Sequence, residues 1–279
     1  MKPNPAHVLA DDPSGRRDPR LEGYTPWAIF GMARRDSPYQ PHERGMVGPE
    51  SLDLDGVARA GALGVFADTS LAHPVMRGRP SPTLGLVTSE LSMSFPTSPP
   101  RAGEEFSLRE DVVELNDIGG SVAGAILGEG GRVLAEAQFA SRFVDRGRRY
   151  DPRPSPEMDP PGISLAELLG VPEAQAGAAA LRGAVSAHLA NPAGALHGGV
   201  AVTILEYAAS RAVPGDPFAW ECESLRVNYL RPAPLGDEIV TSARPVHVGR
   251  TICVVDAEIM LPTGKPSNIA RLSYRRRGR

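Results

Sequence analysis

Asn191-Pro192-Ala193-Gly194-Ala195-Leu196-His197-Gly198-Gly199, running on through Val200-Ala201-Val202-Thr203-Ile204-Leu205-Glu206 to Val213, is the stretch on which the reading of the whole chain turns. Val200, Ile204, Leu205, Ala208 and Ala209 recur at helical spacing and Pro214-Gly215 closes the run, which predicts a helix over Gly198–Val213. Four strand-like segments follow: Ser224–Leu230, Glu238–Ala243, Thr251–Met260 and Ser267–Tyr274. Pro-Leu-Gly, His-Val-Gly and Pro-Thr-Gly turns separate them.

The same order occurs earlier in the chain. A helical pattern over Val57–Leu71 precedes strand-like Ser89–Phe95, Glu105–Val113, Ser121–Leu127 and Val133–Phe143. The copies are diverged but in step: Asp68 and Glu206 differ by 138, Gly103 and Gly236 by 133. Outside them lie the prolines. Residues 1–49 read as a proline-rich arm that Trp27, Ile29 and Phe30 could anchor, and residues 146–162 as a linker. The expected organisation is α+β: a first unit over 50–145 and a second over 163–279, each one buried helix and four antiparallel strands.

At 279 residues the chain is long enough for about two domains, and 41% hydrophobic with 23% charged residues is ordinary globular composition. A net charge of -3 argues against a nucleic-acid partner, and Arg275-Arg276-Arg277-Gly278-Arg279 reads as a solvated end. No apolar run reaches about 18 residues and the first twenty residues lack a secretory apolar core, so neither a membrane partner nor export is expected and a cytoplasmic location is. Cys222 and Cys253 fall in apolar, β-branched stretches and read as buried, inert thiols. No metal cluster, Walker loop or G-x-S-x-G elbow is present, and no cofactor or metal is expected.

Asn191, Gly194, His197-Gly198-Gly199 and an acid nine residues after the His resemble the PaaI/4-hydroxybenzoyl-CoA type of hotdog-fold thioesterase, whose pattern is N-x-x-G-x-x-H-G-G followed by that acid. Leu225-x-x-x-Tyr229-x-Arg231-Pro232-x-x-x-Gly236 and His247-x-Gly249-Arg250 extend the resemblance over 185–275. It implies a sheet wrapped round a long helix, with two such units pairing so that active sites lie between them. This chain carries both units, in a tandem or double hotdog arrangement. Further pairing into a homo-oligomer of such chains is open.

Each motif residue has a physical reason to be there. Gly198 and Gly199 leave backbone N–H groups open at the positive end of a helix, suited to a thioester oxygen that gains charge during attack. Asn191 can donate to the same oxygen, and His197 can orient the loop or touch substrate. In this fold the carbonyl-binding loop of one unit faces the acid of the other. Asp68 is therefore expected to work with Asn191, His197 and Gly199. Glu206 would face Asp53, Arg59 and Gly61, where an anionic Asp53 repels a developing oxyanion, so this second site is expected to be degenerate. The resemblance also implies a water-holding hydroxyl seven residues before the aromatic of the next strand: Thr88, seven before Phe95, could hold water beside Asp68, and its counterpart is Cys222.

The resemblance implies an acyl-CoA or similar pantetheine thioester as substrate, with Arg231 and Arg250 as candidates for its phosphates. Asp68 could act as general base or attack the thioester directly. Two rival readings remain: a non-catalytic acyl-CoA-binding or regulatory protein, and an enoyl-thioester hydratase.

Overall fold

The computed structural model describes residues 24–30, 44–48, 51–52, 58–145, 163, 165–168, 180–216 and 219–277. Among these described residues the α-helices are α1 (Pro26–Ile29), α2 (Leu63–Arg77), α3 (Leu165–Leu168) and α4 (Gly198–Ala212). The strands are β1 (Arg44–Met46), β2 (Leu84–Ser94), β3 (Glu105–Asn116), β4 (Gly119–Leu127), β5 (Val133–Asp145), β6 (Ala180–Ala184), β7 (Trp220–Tyr229), β8 (Glu238–Val248), β9 (Ile252–Met260) and β10 (Pro266–Arg276). Together the strands make one antiparallel sheet in the order β1-β3-β4-β5-β2-β7-β10-β9-β8-β6. That order reads the same from either end once β1–β5 are matched with β6–β10. The two halves join where β2 meets β7, from Glu90 opposite Asn228 to Ser94 opposite Ser224.

Burial follows the strand period of two. In β5 and β10, buried Ala135, Ala137 and Phe139, and Ala270, Leu272 and Tyr274, alternate with outward residues such as Glu136 and Arg271. The inner face receives α2 and α4, which are apolar almost all round, as expected of helices enclosed on every side. Val65, Leu71, Leu205 and Tyr207 are completely buried, each worth about 1.5–3 kcal/mol of transfer free energy. The helices approach closely at their N-terminal ends because side chains are missing there. A Cβ on Gly64 would lie 2.7 Å from Val202, and one on Gly199 2.3 Å from the Val65 Cα.

Several sequence expectations shift. The first long helix spans 63–77, not 57–71: residues 53–57 lie outside the described residues, and Ala60–Ala62 form a 3-10 turn. At its other end the helix runs past Pro74, because burying Pro74 and Val75 and closing the turn from Gly78 N–H to the Pro74 carbonyl outweigh one missing backbone donor. Within the stretch expected as an arm, β1 pairs with β3, and Ile29 and Phe30 are buried in the core. The linker at 146–162 lies outside the described residues. The arginine run is partly built into the sheet: Arg275 and Arg277 grip Glu221 at 3.3 and 2.9 Å, and Arg276 lies over the Trp220 ring. No described helix is long and apolar enough to cross a membrane.

Candidate functional site

The loop before α4 is shaped by Asn191. Its Oδ1 accepts from the N–H groups of Ala193 and Ala195 at 2.9 and 3.3 Å, an arrangement that Asn favours in turns. Gly194 takes a φ of 78°, in the left-handed region that glycine occupies without strain. Leu196 and His197 N–H groups donate to Ala233 and Leu189, so the loop is pinned on both sides. The Asn191 side-chain amide expected to face substrate thus has its oxygen committed to the loop. Its nitrogen donates to nothing among the described residues.

His197 caps α4. The Gly199 N–H donates to its Nδ1 at 3.1 Å, which assigns the proton of the neutral ring to Nε2, 3.3 Å from the Thr69 hydroxyl. Burial holds the imidazole below its ordinary pKa of 6.5, against the opposing pull of Asp68. Trp27 of α1 lies beside the ring, with centroids 6.3 Å apart.

Asp68, on α2 of the other half, reaches this helix start. Its Oδ2 accepts from the Gly199 N–H at 3.1 Å and lies 3.5 Å from His197 Nδ1; its Oδ1 accepts from the Thr88 hydroxyl at 2.8 Å. A buried carboxylate is costly unless hydrogen-bonded, and here it meets a hydroxyl and the positive end of α4. The structure therefore brings Asp68, Thr88, His197 and Gly199 together across the two halves. One expectation is corrected: the Gly199 N–H is not a bare donor, since Asp68 and His197 share it. The open backbone donor is Gly198 N–H, which donates to nothing among the described residues. Space for the carboxylate exists only because residue 198 lacks a side chain, as a Cβ there would sit 2.7 Å from Oδ2.

Two neighbours escaped the sequence reading as site residues. The Tyr229 hydroxyl donates to the Gly198 carbonyl at 3.0 Å, and desolvation with the nearby Asp68 charge pushes its pKa well up. Its position in the L-x-x-x-Y strand was the available signal. Thr69 follows Asp68 directly, and no spacing marks it.

Glu206 occupies the related place on α4. The Tyr274 hydroxyl lies 3.3 Å from its carbonyl and 3.5 Å from its Oε1, and a Cβ on Gly61 would lie 2.6 Å from its Cβ. Burial and then the Glu206 charge push Cys222 and Tyr274 up, while buried Arg59 acts in the opposite sense on both. Arg59 and Gly61 thus stand near Glu206; Asp53 lies outside the described residues. Arg231 and Arg250 do not share an end of the sheet. Arg231 follows Tyr229 and donates to the Pro266 carbonyl at 2.9 Å. Arg250 sits in the β8–β9 turn, beside Thr251, whose carbonyl takes the Arg276 N–H at the Trp220 end of β7. Both side chains are exposed. Among the described residues no group of three or more His, Cys, Asp or Glu is placed to hold a metal ion.

A long helix wrapped by an antiparallel sheet, with a helix start meeting a carboxylate from a neighbouring helix, is the arrangement of the hotdog fold. Solved structures agree. The chain is similar to the 12:0-ACP thioesterase from Umbellularia californica (13% identity, TM-score 0.56, covering 84% of this chain and 97% of that one). It is also similar to a conserved protein of unknown function with a hot dog fold from Alicyclobacillus acidocaldarius (12% identity, TM-score 0.51, covering 85% and 93%). At these identities the likeness establishes the fold. Residues 193–267 match the sequence profile of the thioesterase superfamily. The chain is 40% identical over 86 residues to the Pseudomonas aeruginosa protein named "Putative esterase PA1618", across 29% of this chain and 59% of that protein's length.

Proposed function

We propose that the chain hydrolyses an acyl thioester of coenzyme A to the free acid and the thiol. It does so at one composite site between two fused hotdog units of PaaI type. The observation that carries this reading is the Asp68 carboxylate, buried on α2 and hydrogen-bonded by Thr88 and by the Gly199 N–H of the other half. The superfamily match over 193–267 and the fold likeness to a 12:0-ACP thioesterase, over 84% of this chain, support it.

In this reading the thioester carbonyl oxygen lies at the N-terminus of α4, within reach of the open Gly198 N–H and the Asn191 side-chain amide. Asp68 takes a proton from an attacking water that Thr88 helps to hold, the C–S bond breaks, and the proton leaves with the thiolate. Alternatively, the carboxylate attacks the carbonyl carbon, expels the thiolate and forms an anhydride that water then opens. Positioned base catalysis contributes roughly 10²–10⁴-fold and an oriented backbone donor roughly 10²–10³-fold. His197 holds the loop and the Gly199 N–H in place. Arg231, at the Tyr229 end of the sheet, serves the phosphates; Arg250, at the opposite end, is too far from this site to share that role. The Glu206 site is degenerate: Arg59 shares its space, and a thiol stands where Thr88 stands in the first.

Thiol release from a panel of acyl-CoAs tests the reading. Asp68→Asn is expected to lower turnover by about 10²-fold or more with binding kept, and Glu206→Gln to retain most of it. The reverse pattern overturns the assignment of sites. Binding without thiol release from any acyl group establishes the sensor instead, and consumption of a crotonyl thioester without thiol release establishes the hydratase.

A further inference from the structure

The two hairpins farthest from the β2–β7 junction carry matching apolar tips. On β3–β4 these are Val113, Leu115 and Ile118; on β8–β9 they are Val246, Val248 and Ile252, and all six are between 41% and 61% exposed. Val113 and Leu115 precede Val246 and Val248 by 133 positions, the same offset that relates Gly103 to Gly236. Three large apolar side chains clustered at each of two related tips differ from the scattered exposed residues of an ordinary surface.

Their edges are open. Among the described residues β1 covers β3 only at Glu105–Ser107, and β6 covers β8 only at Glu238–Ser242, so the outer halves of β3 and β8 have no neighbour on that side. Each is blunted against indiscriminate strand pairing. A register shift interrupts β3 between Glu110 and Val112 and β8 between Pro245 and His247, and Pro245 has no N–H to offer. Side chains, not a continuous backbone ladder, are what these tips present.

Charge tells the tips apart. Around the first, Glu110, Asp111, Glu114 and Asp117 are exposed; of the bases nearby, Arg109 is held by Asp111 at 2.7 Å, Arg142 stands opposite Gly119, and Arg77 precedes Gly78, which Leu115 overlies, so acids outnumber bases. Around the second, Arg244, His247 and Arg250 are exposed and residues 244–252 contain no acid; Arg276 adds to them beside Thr251. The acid facing Arg244, Asp256, is 3.7 Å away and held more closely by Arg271 at 2.8 Å. The tips therefore share an apolar pattern and oppose one another in sign.

We propose that the acidic β3–β4 tip of one copy docks on the basic β8–β9 tip of another. Like tips repel, since four acids would meet four acids, or arginines arginines; unlike tips satisfy both the apolar contact and the charge. Because the partners are different surfaces of the same chain, the contact is head to tail. It either closes into a ring or continues.

Sedimentation velocity on the full chain, over a concentration series at low and high salt, tests this. The wild type is expected to associate, and more weakly as salt rises. A chain carrying Glu114→Lys and Asp117→Lys is basic at both tips, and one carrying Arg244→Glu, His247→Glu and Arg250→Glu is acidic at both. Each alone is expected to associate about tenfold or more weakly than wild type, and an equal mixture of the two to recover association. Circular dichroism melts matching wild type verify folding of both variants. A wild type that stays monomeric throughout, variants that associate as wild type does, or a mixture that fails to recover each overturn the proposal.

Discussion

Replacing Gly198 by Ala separates the placement of Asp68 from its chemistry. The added methyl would lie 2.7 Å from Oδ2 and 2.8 Å from Oδ1, where ordinary contact begins at 3.4 Å, so the carboxylate must retreat by several tenths of an ångström. It retreats from the Gly199 N–H at 3.1 Å and pulls on the Thr88 hydroxyl at 2.8 Å. Hydrogen bonds to a charged group contribute about 1.5–3 kcal/mol each; straining both without breaking either costs about 2 kcal/mol, a fall of a few degrees in Tm. A displacement approaching 1 Å at the reacting centre costs about 10²-fold in rate. Gly198→Ala is therefore expected to fold, to bind acyl-CoA, and to lose about 10²-fold in kcat in a thiol-release assay, with KM changed far less. Gly199→Ala is the contrast. There the new Cβ would meet the Val65 Cα at 2.3 Å and the Gly64 carbonyl at 2.4 Å, backbone atoms that cannot turn aside, and the protein is expected not to fold. A folded Gly198→Ala with kcat within about twofold of wild type would refute the claim that the position of Asp68 sets the rate.

Thr88→Val removes the hydroxyl donor to Asp68 while keeping the shape of the side chain. A fall of about tenfold in kcat, with Tm lowered by a few degrees, is expected from the lost bond; unchanged kinetics would show that Thr88 has no part in the reaction. Burial lowers the His197 pKa, so the unfolded chain binds more protons near its ordinary value of 6.5. The His197 contribution is therefore complete above about pH 6.5 and is lost as pH falls toward the folded pKa. Melts at about pH 5 and 7.5 should show a smaller pH dependence for His197→Gln than for wild type, and an equal one would contradict the assignment. Glu104 accepts from the Arg132 Nη2 at 2.6 and 2.8 Å and from the Arg101 N–H at 2.9 Å. Although burial itself raises the Glu104 pKa, these partners hold it below its ordinary value. Glu104→Ala is expected to cost about 3 kcal/mol in chemical denaturation by leaving Arg132 short of its partner, and a loss below about 1 kcal/mol would count against a structural role.

The positions of eight strands along the chain and the second long helix were legible because alternation and 3.6-residue spacing are local signals, and β2–β5 and β7–β10 overlap the expected strands with ends that differ by up to five residues. Where tertiary contact decides, local reading fell short. Residues 57–71 contain Gly61 and Gly64, which local spacing treats as neutral but which α4 approaches too closely for any side chain. The expected helix ends at Leu71, yet burial of Pro74 and Val75 carries it on to Arg77. Strands β1 and β6 are short, and what makes each a strand is the neighbour it pairs with. At the site, the spacing from His197 to Glu206 found the helix start, and the offset of 138 pointed to Asp68. That the carboxylate would occupy the Gly199 N–H could not be read, because it depends on how closely two helices approach.

That approach has a consequence for how the protein tolerates change. Between the helix carrying the carboxylate and the helix start it meets there is no spacer: glycine backbone lies against backbone, at Gly64 and Val65 on one side and Gly199 on the other. A gap set by side chains can be retuned gradually, one methyl group or rotamer at a time. A gap set by main chain closes only one way, so core substitutions that leave both helices in place should barely alter the chemistry, while those that move either helix should abolish it.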